Sequence, residues 1–107
     1  MIGVRLVLVP TQNGGRRGPV LDGRFSYRPN WTLPGATGWT EQAGAPLLCL
    51  APRSLSPGQT GFAVLVPVLI EAWRHLRVGQ ELGMLEGARR CGSAVVLAIE
   101  AAETPSD

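Results

Sequence analysis

Lysine is absent from this sequence: all ten basic residues are arginine, against eight acidic ones, for a formal net charge of +2. An excess that small selects no class of partner by itself. Cysteine is nearly absent too, with only Cys49 and Cys91. Two thiols so far apart do not make a zinc site, and without an export signal they read as reduced, buried, small apolar residues, so no metal is expected. The single histidine, His75, has Glu71 four positions before it, but no serine, cysteine or second carboxylate is placed beside it, and a nucleophilic mechanism needs such a set. No G-x-x-x-x-G-K-[ST] phosphate loop occurs, so no nucleotide is expected to bind in that way. The longest apolar run, GFAVLVPVLIEAW from Gly61 to Trp73, is broken by Pro67 and falls short of the roughly 20 residues of a membrane helix. The opening MIGVRLVLVP carries Arg5 inside its apolar run and lacks a small-residue cleavage site, so it does not read as a signal peptide. These absences lead to the expectation of a cytoplasmic, non-enzymatic protein without cofactor, metal or membrane contact.

What is present is enough apolar residue, 45% of the chain, to fill a core without cross-links. One domain is expected over residues 2–100, with the polar AAETPSD of 101–107 as a frayed tail. Ile2 to Val9 is rich in valine, leucine and isoleucine and stops at Pro10, which predicts a strand. Val20–Leu21 and the surroundings of Phe25 and Tyr27 predict short extended pieces. Trp31 to Trp39 predicts an irregular segment, because Pro34, Gly35 and Gly38 punctuate it. Pro46 to Pro52 predicts another short apolar strand, followed by a turn at Pro57–Gly58. Thr60 to Ile70 predicts a central strand in which Pro67 demands an edge, a bulge or a bend. Residues 71–77 predict a short connection, and Leu82–Leu85 with Cys91–Ile99 predict a hairpin around Gly87, the natural site of a positive φ. Several short strands without sustained helical periodicity predict an all-β barrel or sandwich.

Charge is unevenly spread. Residues 1–30 hold Arg5, Arg16, Arg17, Arg24 and Arg28 against Asp22 alone. In the stretch Asn13-Gly14-Gly15-Arg16-Arg17-Gly18-Pro19, the glycines and proline turn the chain and the two guanidinium groups match phosphate oxygens. The same loop also reads as a solvated turn. The tryptophans Trp31, Trp39 and Trp73 read as a protein contact surface or as half-buried filler, with base stacking as the less favoured use. Cys91 follows two arginines, yet its place in an apolar run reads as burial.

The order of these signals resembles the third, C-terminal β-barrel domain of elongation factor Tu. The resemblance rests on Gly14-Gly15-Arg16 with Pro19 shortly after, Tyr27-Arg28-Pro29, Pro57-Gly58, and Glu86-Gly87-Ala88-Arg89-Arg90-Cys91-Gly92-Ser93-Ala94-Val95-Val96, four collinear matches from about Val4 to Ile99. It implies a closed six-stranded antiparallel β-barrel, here without the factor's GTPase domain. In that family the barrel touches the T-stem of aminoacyl-tRNA and two protein surfaces. Carried onto this sequence, the RNA-facing positions are Arg16, Asn30, Glu86 and Gly87, with Arg17 and Arg89 beside them. Leu85, Ala88 and Pro34 depart from the family pattern, and the departures fall on the surface. The expectation is therefore a protein-interaction module using Trp31, Trp39 and Trp73 with the 71–77 segment; the alternative is a binder of tRNA-like stems through the Arg16/Arg17 and Glu86–Arg90 turns.

Overall fold

The computed structural model describes residues 1–20, 27–34, 40–68 and 70–100. Within them the chain forms seven strands: β1 Ile2–Leu8, β2 Asn30–Pro34, β3 Thr40–Gly44, β4 Leu47–Ala51, β5 Thr60–Leu65, β6 Glu81–Glu86 and β7 Arg89–Ile99. Two short 3₁₀ turns, Thr11–Asn13 and Ile70–Trp73, are the only helical elements among the described residues. β1 shows why these segments are strands. Ile2, Val4, Leu6 and Leu8 face inward and are buried, while Arg5 and Val7 between them face out, the two-residue period of a half-buried pleat. The inward sets of all strands meet in one core that includes Leu6, Leu47, Leu65, Leu82, Met84 and Val96, each worth about 1.5–3 kcal/mol of burial for a large side chain.

All pairings are antiparallel, in the order β3-β2-β6-β7-β1-β5-β4. β3 and β4 stand at opposite ends of that order, yet only Ala45 and Pro46 separate them in the chain. A two-residue link cannot cross a flat sheet of seven strands spaced about 4.8 Å apart, so the sheet has to curl. The result is a curled antiparallel half-barrel. The strand count of six is not the one observed, since the bend at Ala45–Pro46 splits one stretch into β3 and β4, and the regular ladder ends at those two strands.

Two proline expectations are corrected. Residues 30–34 are a regular strand through Pro34, not an irregular segment. β6 pairs with β2 only at Asn30↔Leu85 and Trp31↔Met84, so at Pro34 that side of β2 has no ladder bond to lose. Residues 35–39 lie outside the described residues, as do 21–26, which hold Leu21 and Phe25. Thr60 to Ile70 is regular only to Leu65, but the edge continues: Val66 N donates to Pro46 O (3.0 Å) and Val68 N to Gly44 O (3.5 Å). Pro67 falls between the donating residues, where its missing N–H costs nothing. The β6–β7 hairpin is tighter than expected, with Gly87 and Ala88 alone between the strands and Gly87 at φ +62°.

Candidate functional site

The glycine–arginine loop is built from its backbone outward. After β1, Pro10 O accepts from Asn13 N (2.9 Å) and from Gly15 N (3.1 Å), which folds residues 10–15 into a compact hook. Gly15 is buried, and a Cβ there would lie 1.9 Å from Val9 O, so no larger residue fits without moving the backbone. Thr11 Oγ1 then donates to Arg16 O at 2.6 Å, and this fixes where the Arg16 side chain starts.

That side chain turns inward across the end of the sheet. Arg16 Nη1 meets Glu86 Oε2 at 2.9 Å, Nε donates to Gly18 O (3.2 Å), Nη2 donates to Pro19 O (3.3 Å), and the guanidinium carbon lies 4.6 Å from the centre of the Tyr27 ring. With side-chain exposures of 21% for Arg16 and 30% for Glu86, the pair is partly sheltered from water. Burial works against the charged guanidinium, but Tyr27 and Glu86 outweigh it and hold the Arg16 pKa above its ordinary value. Glu86 uses its other oxygen as well, accepting from Cys91 Sγ at 3.2 Å. Cys91 is fully buried; burial first, then this bond to a carboxylate, push its thiol up to about 11. The Tyr27 hydroxyl is buried without a partner in hydrogen-bonding geometry, and burial raises its pKa well above the usual phenol range.

Arg16 is therefore a clamp between the glycine loop and the β6–β7 turn, and its expected display to phosphate is corrected: each guanidinium nitrogen donates to the chain itself and one face lies over Tyr27. The expected companions do gather around it. Arg17 follows it in the loop, Arg89 stands opposite Glu86 in the hairpin, Gly87 is in the turn, and Asn30 pairs with Leu85 next door. Arg17, Arg28 and Arg89 are exposed and make no ion pair among the described residues. Asn30 also opens onto a groove of about 520 Å³ lined with Gln42, Ala43, Gly44, Val68 and Ala72, none of them charged.

Two of the three tryptophans are corrected, Trp31 and Trp73. Trp31 is fully buried, its Nε1 donating to Ala45 O at 3.1 Å, so it pins the β3–β4 bend from inside. Trp73 is 5% exposed and belongs to the core as well. Neither displays its ring to a partner, and Trp39 lies outside the described residues. Glu71 bonds Arg74 (3.1 Å) rather than orienting His75, whose Nε2 accepts from Arg74 Nε (3.3 Å). Among the described residues, no group of three His, Cys, Asp or Glu side chains is placed to hold a metal. No helix there is long and apolar enough to cross a membrane.

The side chains that sequence reasoning missed are on the outer face of β4, β5, β1 and β7. Residues directly opposite each other in a ladder share a face. One row across the sheet runs Leu48, Val64, Gly3, Ala98; the next runs Ala51, Phe62, Arg5, Val95, Glu81; a third runs Thr60, Val7, Ser93. Leu50 and Leu97 sit at the register shifts that flank these rows. Leu50, Phe62, Leu97 and Val7 are between 39% and 51% exposed, large apolar groups left in water on one face. The only hint in the sequence was that both parities of VRLVL and GFAVLV are apolar, a pattern equally expected of a strand buried on both faces.

No protein-family model matches the chain, and no curated protein matches it.

Proposed function

We propose that this chain is a non-catalytic protein-binding module built on a closed barrel of the elongation factor Tu third-domain type, and that it docks through the outer face of β4, β5, β1 and β7. The barrel reading is supported by counting β3 and β4 as one strand bent at Ala45–Pro46, which brings the total to six. β3 lies against β2 and β4 against β5, and both neighbours run on past the bend: Leu47 N of β4 donates to Tyr27 O (3.0 Å) just before β2, and Gly44 O of β3 accepts from Val68 N (3.5 Å) just after β5. The likeness is further supported by the meeting of the Gly14-Gly15-Arg16 and Glu86-Gly87 turns, which the resemblance assigns to a common edge.

The docking reading is carried by one observation: Phe62, Leu50, Val7 and Leu97 are exposed together on a single face. Large apolar side chains gathered on one exposed face mark interaction sites more often than singly scattered ones do. The test is affinity capture with the full chain against Phe62→Asp. Loss of the specifically retained protein from the variant is the expected result; an unchanged set of retained proteins would overturn the assignment of this face.

A second reading has its own observation. Arg17 and Arg28 follow Arg16 and Tyr27 in the chain and Arg89 stands opposite Glu86 in the hairpin, so three exposed cations adjoin a cluster already neutralised by the Arg16–Glu86 pair. In this reading they bind a tRNA-like stem through its phosphates, with affinity that falls as salt rises. Titration of tRNA at two salt concentrations tests it: Arg17→Ala/Arg89→Ala should weaken binding at least tenfold, and binding indifferent to both salt and the variant would end it.

A further inference from the structure

The centre of the outer face is not apolar. Arg5 stands there, opposite Phe62 on β5 and Val95 on β7, and it is exposed. Its neighbours along β1 on that face are Gly3 and Val7, and the diagonal positions on β5 are Thr60 and Val64. None of these is acidic. Among the described residues two carboxylates share the face, and both are removed from Arg5. Glu81 lies one strand beyond Val95 and is bonded to Arg90 at 3.1 Å. Glu100 is beside Met1, whose ammonium donates to its carbonyl at 3.0 Å, and four residues of strand set it about 13 Å from Arg5. Arg5 makes no ion pair among the described residues.

A partner covering Phe62 and Val95 would take the Arg5 guanidinium out of water with them. An arginine buried without a counter-charge is costly, whereas one that meets a carboxylate in bidentate geometry is held strongly and sets the register of the interface. A second copy brought face to face about Arg5 would oppose two like charges. A nucleic acid would supply phosphates but leave Leu50, Phe62 and Leu97 against a polar backbone.

The geometry points to a partner protein that presents an aspartate or glutamate inside an apolar patch, with Arg5 as the residue that selects it. This rests on the reading of the outer face as a docking surface and adds the chemistry of what docks. A carboxylate flanked by large apolar side chains is the complement of a cation flanked by Phe62 and Val95.

The test uses the full chain, immobilised through its C-terminal end, as bait for a phage-displayed random dodecapeptide library, with parallel selections on Arg5→Glu, Arg5→Gln and Phe62→Asp. Each variant is first checked for wild-type circular dichroism and melting temperature. The expected result is enrichment of sequences with an acidic residue between large apolar ones. As synthetic peptides these should bind the Arg5 variants and Phe62→Asp at least tenfold more weakly, and the Arg5→Glu selection should turn to basic peptides. Peptides that depend on Phe62 but bind the Arg5 variants unchanged would overturn the acidic partner and leave the docking face standing. Peptides indifferent to Phe62, or no enrichment above the bait-free background, would overturn the docking face itself. A dimer at micromolar concentration that Arg5→Gln tightens would replace both with self-association.

Discussion

At the residue scale, much of the polar chemistry here is used internally. Arg16, Glu86 and Cys91 are bonded in series, so altering one releases the next. Arg16→Ala leaves Glu86 partly buried without its cation and should cost about 1–3 kcal/mol, read from the urea midpoint. Cys91 yields a pH prediction. Its thiol, ordinarily near 9.0 in an unfolded chain, is pushed up to about 11 by burial in the fold, so between those values the native state holds a proton that the unfolded chain has lost. Stability is thus at its full value below about pH 9 and declines as pH rises toward 11. Thermal melts from pH 7 to 11 should show that decline, and Cys91→Val should remove the part that begins near pH 9, leaving the part above about pH 10 that the raised Tyr27 hydroxyl contributes. Arg16 was legible in the sequence as important, but not for what it does. An arginine beside glycines reads the same whether it reaches solvent or folds back, and the difference lies in Glu86, seventy positions away.

At the element scale, the turns are set by backbone demands. Gly15→Ala should be among the most damaging single changes, because its Cβ would collide with the Val9 carbonyl and open the hook; a loss of about 3 kcal/mol or more is expected in urea denaturation. Gly87→Ala meets open space and only the strain of its positive φ, so about 1–2 kcal/mol is expected there. The elements were largely readable: β1, β4, β7 and the β6–β7 hairpin follow from alternation and turn residues. β3 at Thr40–Gly44 was not anticipated, and the two segments that were misread, β2 and the end of β5, share a cause. Proline breaks a strand only where its N–H would have been used, and that depends on which neighbour stands on which side. A tryptophan likewise shows in sequence that it is large, not which way it faces; Trp31 is inside because Ala45 O needs its donor.

At the scale of the whole molecule, the curl of the sheet depends on the short link between β3 and β4. Inserting Gly-Gly-Ser between Ala45 and Pro46 should loosen it, with lower amide protection in β3 and β4 than in the β1–β7 centre when hydrogen exchange is followed. The outer face could not be read in advance at this scale, because a strand apolar on both sides predicts burial on both sides until the layers are known. Nor could the position of Arg5 at its centre, which comes from β5 and β7 flanking β1.

That flanking arrangement also governs how the chain can assemble. Among the described strands β1 is made first and its partner β7 last, Ile2 lying against Ile99. Until β5 and then β7 have been made, the apolar side of β1 has no neighbour in the sheet, so folding must wait for nearly the whole described chain. Such long-range pairing is slow. The strand that carries Arg5 is thus the one exposed longest on a ribosome, and a charge at its middle guards it against sticking to other nascent chains before its own sheet arrives.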